Sequence, residues 1–313
     1  MSVGRQRVLF HTSTRVHIEH SCSVRKLTAF TGTSRDTPVS HSDVTAEAPI
    51  HFGDHALDRP WRALAARSLM LEFDHVSRSF GDLVALQDLT FTVQSGALCG
   101  FCGPNGAGKT TAMRVLVGIL RADAGEVRWR DDPVDRELCR RFGYLPEERG
   151  LYPAMEVRDH LIYLARLRGL AKERARRATD RLLDAFGVTA MAHRRIDSLS
   201  LGNAQRVQLA SALVHDPVLI ALDEPFNGLD PLAAEQLASL LRERVAAGAT
   251  VLFSSHQLDT VERLCDTVVV LDRGRCVLSG GLSDLTHPLG RRRRTLLDAY
   301  RAAIEPDPVE RDA

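Results

Sequence analysis

No uninterrupted apolar run in the 313 residues reaches the ~18 that a membrane-spanning helix needs. Any tie to a bilayer is therefore expected to go through another subunit. A disulfide framework is missing as well. The six cysteines are scattered and no signal peptide precedes them, which reads as free thiols in a reducing, intracellular setting. Cys99 and Cys102, in "CGFC", have the spacing of a redox or metal dithiol. No second CxxC completes a zinc site, and the pair lies in an apolar run, so both are read as buried strand residues. Nor is there an excess of charge of one sign. Lys and Arg number 41 against 40 Asp and Glu, a formal net charge of +1, so no nucleic-acid partner is expected. What is present is an apolar fraction of 44%, ordinary for a chain that buries a sizeable core in one large α/β domain or two small ones.

Residues 1–68 differ in texture from the rest. Ser, Thr, His and Arg crowd "FHTSTRVHIEHSCSVRKLTAFTGTSRDT" with no persistent apolar period, so burial would recover too little to offset conformational entropy. The segment reads as a disordered arm or an upstream-extended reading frame, with an organellar transit peptide as the alternative. From Leu69 the pattern is regular. "LEFDHVSRSF" and "LQDLTFTVQSG" alternate as half-buried antiparallel strands do. "ALCGFC", "PVLIALDEP", "TVLFSSH" and "DTVVVLDRG" are short, nearly continuous apolar runs, as expected of parallel strands covered on both faces. Helical stretches such as "RDHLIYLARLRGL" and "RRATDRLLDAFGV" lie between them, so the class is α/β. Residues 286–313 form a basic tail; its run Arg291 to Arg294 reads as a solvated helix start, with an anionic-lipid contact as the alternative.

"GPNGAGKT", Gly103 to Thr110, fits GxxxxGK[ST] between a buried strand and a helix. Gly103, Gly106 and Gly108 let the backbone curl so that successive N–H groups, those of Pro104's successors Asn105 and Ala107 among them, line one concavity. The following helix aims its positive end there, with Thr111 in its first turn. Lys109 would reach the terminal phosphates and the Thr110 hydroxyl would ligate Mg²⁺. "VLIALDEP" runs Asp223 and Glu224 out of the carboxyl end of a buried strand, the end at which open α/β sheets bind ligands. Asp223 is placed to hold Mg²⁺ and Glu224 to orient and deprotonate an attacking water. The alternative is that the pair merely caps the next helix.

These residues resemble the ATP-binding cassette ATPases, over about Leu71 to Leu285. "LSLGNAQR", Leu199 to Arg206, is similar to the family's signature, "NGLD", Asn227 to Asp230, to its D-loop, His256 to its switch histidine, and Phe80 to the aromatic that stacks on adenine. The signature departs from the family's "LSGGQ" at Leu201 and Asn203, while Ser200 and Gly202 remain. The resemblance implies a P-loop core with a mixed, mainly parallel sheet, an antiparallel β subdomain and an inserted helical subdomain over about 143–215, in an ATP-binding domain of residues 69–285. It also implies that Ser200, Gly202, Asn203 and Asp230 serve nucleotide in a dimer, each signature facing the phosphate loop of a second copy or a related cassette. ATP and Mg²⁺ are the implied ligands, and an integral-membrane permease the implied partner, at the cytoplasmic face of the membrane.

The texture of "GYLPEERGLYPAMEV" is most similar to exporter ATPases of the sodium-efflux and drug-resistance type. An importer ATPase or a soluble, non-transport cassette protein is the alternative; a second phosphate loop or a long coiled coil, which some of the latter carry, is missing. Glu147 stands where the family usually has a Mg²⁺-touching glutamine, and a carboxylate oxygen can ligate that ion as an amide oxygen does. Glu148 and Arg149 are expected to face the membrane subunit or solvent. Helix capping or plain solvation is the alternative for both acids.

Overall fold

The computed structural model describes residues 70–148, 150–286 and 294–304. The readings made above for residues 1–68, Arg149 and the start of the arginine run lie outside them.

Strand β1 (Met70–Phe80) turns at Gly81 into β2 (Leu83–Gln94), pairing antiparallel with Leu71 opposite Val93 and Phe73 opposite Phe91. The alternation does what it predicts: Leu71, Phe73, Val76, Leu89, Phe91 and Val93 are buried, and the Phe73 and Phe91 rings stack at 4.5 Å. Next come β3 (Leu98–Cys102) and α1 (Lys109–Leu116), then β4 (Ala124–Trp129), which pairs with β1, and β5 (Asp132–Pro133). These complete a four-stranded antiparallel sheet in the order β2-β1-β4-β5.

A short helix α2 (Arg136–Cys139) leads to β6 (Phe142–Leu145), which belongs to the main sheet, and the helical stretch follows from Val157. It comprises α3 (Val157–Leu167), α4 (Lys172–Ala185), two 3₁₀ turns at Thr189–Met191 and Ile196–Ser198, and α5 (Leu201–Leu213). Val157, Leu161 and Ala165 recur at helical spacing on α3 and are buried against α4, whose Asp180 accepts two bonds from Arg158 at 2.8 and 2.9 Å. The chain then builds β7 (Leu219–Leu222), α6 (Pro231–Ala246), β8 (Thr250–Ser255), α7 (Leu258–Leu264), β9 (Thr267–Asp272), β10 (Arg275–Gly281), α8 (Leu282–Leu285) and α9 (Leu296–Ile304).

The main sheet runs β10-β9-β3-β8-β7-β6, parallel except for β10. Its strands sort their residues alternately into two cores. Leu98, Cys102, Ile220, Leu222, Val251, Phe253, Val268 and Val270 face one core; Cys99, Phe101, Leu219, Ala221, Leu252, Val269 and Leu271 face the other. Burial on both faces is why these strands read as continuous apolar runs. It also fixes Cys99 and Cys102 as packing residues, since burial pushes the Cys99 thiol up to about 12 and raises that of Cys102 too. Helix α9 packs on α7 and β10 with Leu296 in the first core.

Candidate nucleotide-binding site

Strand β8 lies between β3 and β7, and all three are parallel, so their carboxyl ends share one edge of the sheet. From β3 the chain enters the loop 103–108, from β7 it reaches Asp223 and Glu224, and from β8 it reaches His256. The loop's shape depends on glycine. Gly103 has φ +148 and a Cβ there would lie 2.3 Å from the Leu271 carbonyl; Gly108 has φ +102 and a Cβ would lie 2.6 Å from the Ala85 carbonyl. The Ala107 N–H donates to Pro104 O at 3.1 Å, closing the turn, while Pro104, Asn105 and Gly106 are exposed. Lys109, 8% exposed, donates to Gly103 O at 2.7 Å and Pro104 O at 3.0 Å, which leaves one ammonium N–H for a ligand over the loop. Thr110 and Thr111 are half-buried in the first turn of α1.

Asp223 is 2% exposed. Its Oδ1 accepts from Ser254 Oγ at 2.6 Å, and its Oδ2 is buried with no partner among the described residues. Glu224 takes φ +48, and its N–H donates to the same Ser254 Oγ at 2.7 Å. Its Oε1 lies 3.0 Å from His256 Nδ1, with the histidine half in solvent. Ser254 thus organises both acids, and it was not singled out from sequence; a serine pair ending an otherwise apolar strand is the signal that marks it.

Glu147 lies exposed in the loop that leaves β6, beside β7: Leu145 pairs with Leu222 and its carbonyl accepts from Asp223 N at 2.8 Å. Tyr144 has its pKa raised by burial first and next by the charge of Asp223, with Glu147 adding in the same direction, so the two acids share its neighbourhood. Phe80, at the tip of the β1–β2 hairpin, is 44% exposed, and the Arg78 guanidinium sits 4.9 Å from its ring centroid. Gly108 packs against Ala85 and Leu86 of β2, which brings that hairpin against the start of α1.

Ser200, Gly202 and Asn203 are not brought to this chain's own phosphate loop. Ser200 caps α5, its Oγ accepting from Asn203 N at 3.5 Å, and Gly202 faces the Gly228 carbonyl of the D-loop segment. Asp230 caps α6 by accepting from Ala233 N at 2.9 Å, and pairs with Arg206 of α5 at 3.1 Å. The tip of α5 and the D-loop segment therefore form one unit.

The donor set fits Mg²⁺: a buried carboxylate oxygen without a partner at Asp223 and the hydroxyl of Thr110 are hard oxygen donors. No group of three or more His, Cys, Asp or Glu among the described residues could hold a metal alone. That suits an ion completed by phosphate and water rather than an all-protein cage. The loop, where a Cβ at Gly103 or Gly108 would collide, likewise fits a phosphate approaching bare backbone.

Residues 86–227 match the family model described as "ABC transporter". The uncharacterized ABC transporter ATP-binding protein YhaQ of Bacillus subtilis (strain 168) is 40% identical over 227 residues, 72% of this chain and 76% of that protein. Nod factor export ATP-binding protein I of Burkholderia lata is 37% identical over 213 residues, 67% of this chain and 70% of that protein. Among solved structures, the ATP-binding subunit of an ABC transporter superposes with a TM-score of 0.70 at 32% identity, covering 75% of this chain and 100% of the other. CbiO1 of Clostridium perfringens, part of the ABC transporter complex cbiONQ, gives 0.61 at 27% identity, covering 69% and 89%. On the strength of these matches the chain belongs to the ABC transporter ATP-binding family, whose members bind and hydrolyse ATP.

Proposed function

We propose that the chain is the ATP-hydrolysing subunit of an exporter, seated at the cytoplasmic face of the membrane against a separately encoded permease and working as a dimer of cassettes. The observation that carries this reading is the convergence of Lys109, the Asp223–Glu224 pair and His256 on the carboxyl ends of three adjacent strands. Export is favoured over import by the relatives that are Nod factor export ATP-binding proteins. Among the described residues no helix is long and apolar enough to cross a membrane.

In this reading the backbone N–H groups of Asn105, Gly106 and residues 108–111 and the Lys109 ammonium bind the phosphates of ATP, and Phe80 stacks on the adenine with Arg78 behind it. Thr110, Asp223 and Glu147 would hold Mg²⁺, which would supply neutralisation of charge on the transferred phosphoryl group. Glu224 Oε accepts the proton of the attacking water, and His256, at its Nδ1, keeps that carboxylate from swinging into solvent. Ser200, Gly202 and Asn203 serve the partner's nucleotide, with Asp230 tying their helix to the D-loop. Each signature lies far in sequence from its own phosphate loop and serves the partner's, so the cassettes face head to tail across a two-fold axis. ATP then binds the closed pair better than the open one, and hydrolysis releases that difference as work on the permease.

Glu224→Gln is expected to abolish turnover yet trap an ATP-dependent dimer in size-exclusion chromatography, whereas Lys109→Ala should lose ATP binding. A Glu224→Gln protein that hydrolyses ATP normally, or stays monomeric while the native protein dimerises, sinks the assignment. For the permease, the tagged chain should capture a polytopic membrane protein encoded beside it; for export, inverted membrane vesicles holding the pair should accumulate the transported molecule on adding ATP.

A further inference from the structure

Gln208 has no part in the roles above, yet it joins two of them. It lies within α5, five residues beyond Asn203, and is 4% exposed. Its Nε2 donates to Pro146 O at 3.0 Å and to Glu148 O at 3.2 Å. Both partners are acceptors, so the amide has one orientation; flipped, its oxygen would face two carbonyls. That leaves Oε1 buried, with no hydrogen-bond partner among the described residues. The neighbouring α5 positions Ala204, Val207, Leu209 and Ala210 are apolar and buried.

The energetic balance gives stability little reason to place an amide here. Two neutral hydrogen bonds contribute about 1 kcal/mol each, while a buried unsatisfied oxygen costs about 1–3 kcal/mol. A methionine would fill the same volume with no polar atom to desolvate. What the amide does supply is geometry. Its two bonds fix the carbonyls on either side of Glu147, and the strand before them is fixed by the bond from Asp223 N to Leu145 O at 2.8 Å. With the backbone held on both sides, the direction in which the Glu147 side chain leaves the loop is set, and with it the space its carboxylate can reach. The same side chain grows from the helix whose tip carries Ser200, Gly202 and Asn203, about 12 Å away along a rigid rod.

We propose that Gln208 is a positioning residue that aims Glu147 and, through α5, links the metal-facing loop of one nucleotide site to the signature tip that serves the partner's site. The proposal rests on the functional reading above and adds a residue and a route to it. A shift of the loop on binding Mg²⁺–ATP pulls on α5 through the two amide bonds, so the tip is presented to the partner only when the loop is closed.

The test uses the full chain carrying Glu224→Gln, so that nucleotide is bound but not consumed. Gln208→Met keeps volume and removes both donors; Glu147→Ala removes the group being aimed. Calorimetric titration with ATP, with Mg²⁺ or with chelator, reads binding without turnover. In Gln208→Met the gain in ATP affinity conferred by Mg²⁺ should shrink by about ten-fold, the scale on which loss of a partner that orients a metal ligand is felt. Affinity in chelator should stay within about two-fold of the parent, as expected when a metal-facing interaction alone is lost. Dimerisation should need correspondingly more ATP. Added to Glu147→Ala, Gln208→Met should change Mg²⁺ dependence no further, because one acts through the other. A Gln208→Met protein with unaltered Mg²⁺ dependence, or additive losses in the double variant, overturns the proposal. If the methionine variant does not fold, Gln208→Asn, one methylene too short to span both carbonyls, carries the same readout. A Glu224→Gln parent that never dimerises indicts the functional reading, whereas a parent that dimerises alongside an unaffected Gln208→Met variant indicts this inference alone.

Discussion

Ser254 holds two acids in a conformation that neither would keep alone. Glu224 has φ +48, a left-handed backbone that costs a residue with a Cβ roughly 1–2 kcal/mol. The Ser254 hydroxyl offsets this by accepting from Glu224 N while donating to Asp223 Oδ1. Ser254→Ala removes both bonds and leaves a buried carboxylate oxygen and a backbone N–H unpaired, at a cost of about 1–3 kcal/mol. The melting temperature should fall by roughly 2–4 °C per kcal/mol, and kcat by about ten-fold or more through misplacement of both carboxylates. ATPase rates and thermal melts check it; unchanged kcat would mean that the acids are positioned without the serine. The motif residues themselves were legible, because their types and spacing are dictated by phosphate chemistry. Ser254 was not, because its partners come from a neighbouring strand, and sheet order is not written in a one-dimensional pattern. Gln208 was hidden for the same reason: inside "NAQRVQLASAL" it is one polar residue in a helix, and only the packed loop shows what its amide meets.

At the scale of elements, β3, the phosphate loop and α1 behave as one part. The buried strand, the glycines and the helix start are each readable locally, so this unit was legible whole. The glycines differ, however, in a way that sequence does not reveal. Gly108 has a backbone carbonyl 2.6 Å from where a Cβ would stand, whereas Gly106, at φ +81, has nothing within 4 Å. Gly106→Ala should therefore cost only conformational strain, about 1–2 kcal/mol, while Gly108→Ala must also displace β2 and should cost at least twice as much. Chemical denaturation of the two variants without nucleotide checks the order; equal losses would show that the contact with Ala85 gives way easily. The apolar periods likewise made α3 and α4 legible, because a helix face that packs repeats every three to four residues. The docking of α9, with Leu296 in the main core, was not legible: its short apolar stretch directly follows a basic run, and the partners that bury it lie on α7, α8 and β10.

The described residues are held by two cores on either side of the main sheet, and two histidines, buried His160 and half-buried His215, make their folding sensitive to acid. His160 on α3 is fully buried with both ring nitrogens unpartnered among the described residues, and burial pushes its pKa down to about 4. His215, after α5, is pushed down to about 4 by burial first and then by the charge of Arg168; its Nε2 lies 3.1 Å from Phe142 O, which the neutral ring satisfies by donating. Both folded values lie below the unfolded value of about 6.5, so between the two the unfolded chain binds more protons. Stability should then be complete above about pH 6.5, fall as pH drops toward 4, and gain no further loss from these two groups below that, with a slope of up to about 1.4 kcal/mol per pH unit for each. Asp123 and Asp230, whose pKa values are lowered by backbone hydrogen bonds first, lose their contribution only at lower pH, outside this window. His75 is raised by Asp88 and acts in the opposite sense, but it is exposed and its ion pair is screened. Urea midpoints of the native protein and of His160→Phe at pH 7, 5.5 and 4.5 test this. The variant should match or exceed the native protein at pH 7, since it removes two unpaired nitrogens from an apolar site, and should show roughly half the native slope below pH 6.5. An unchanged slope would mean that His160 takes up its proton without unfolding, and hence that α3 opens to water in the native state.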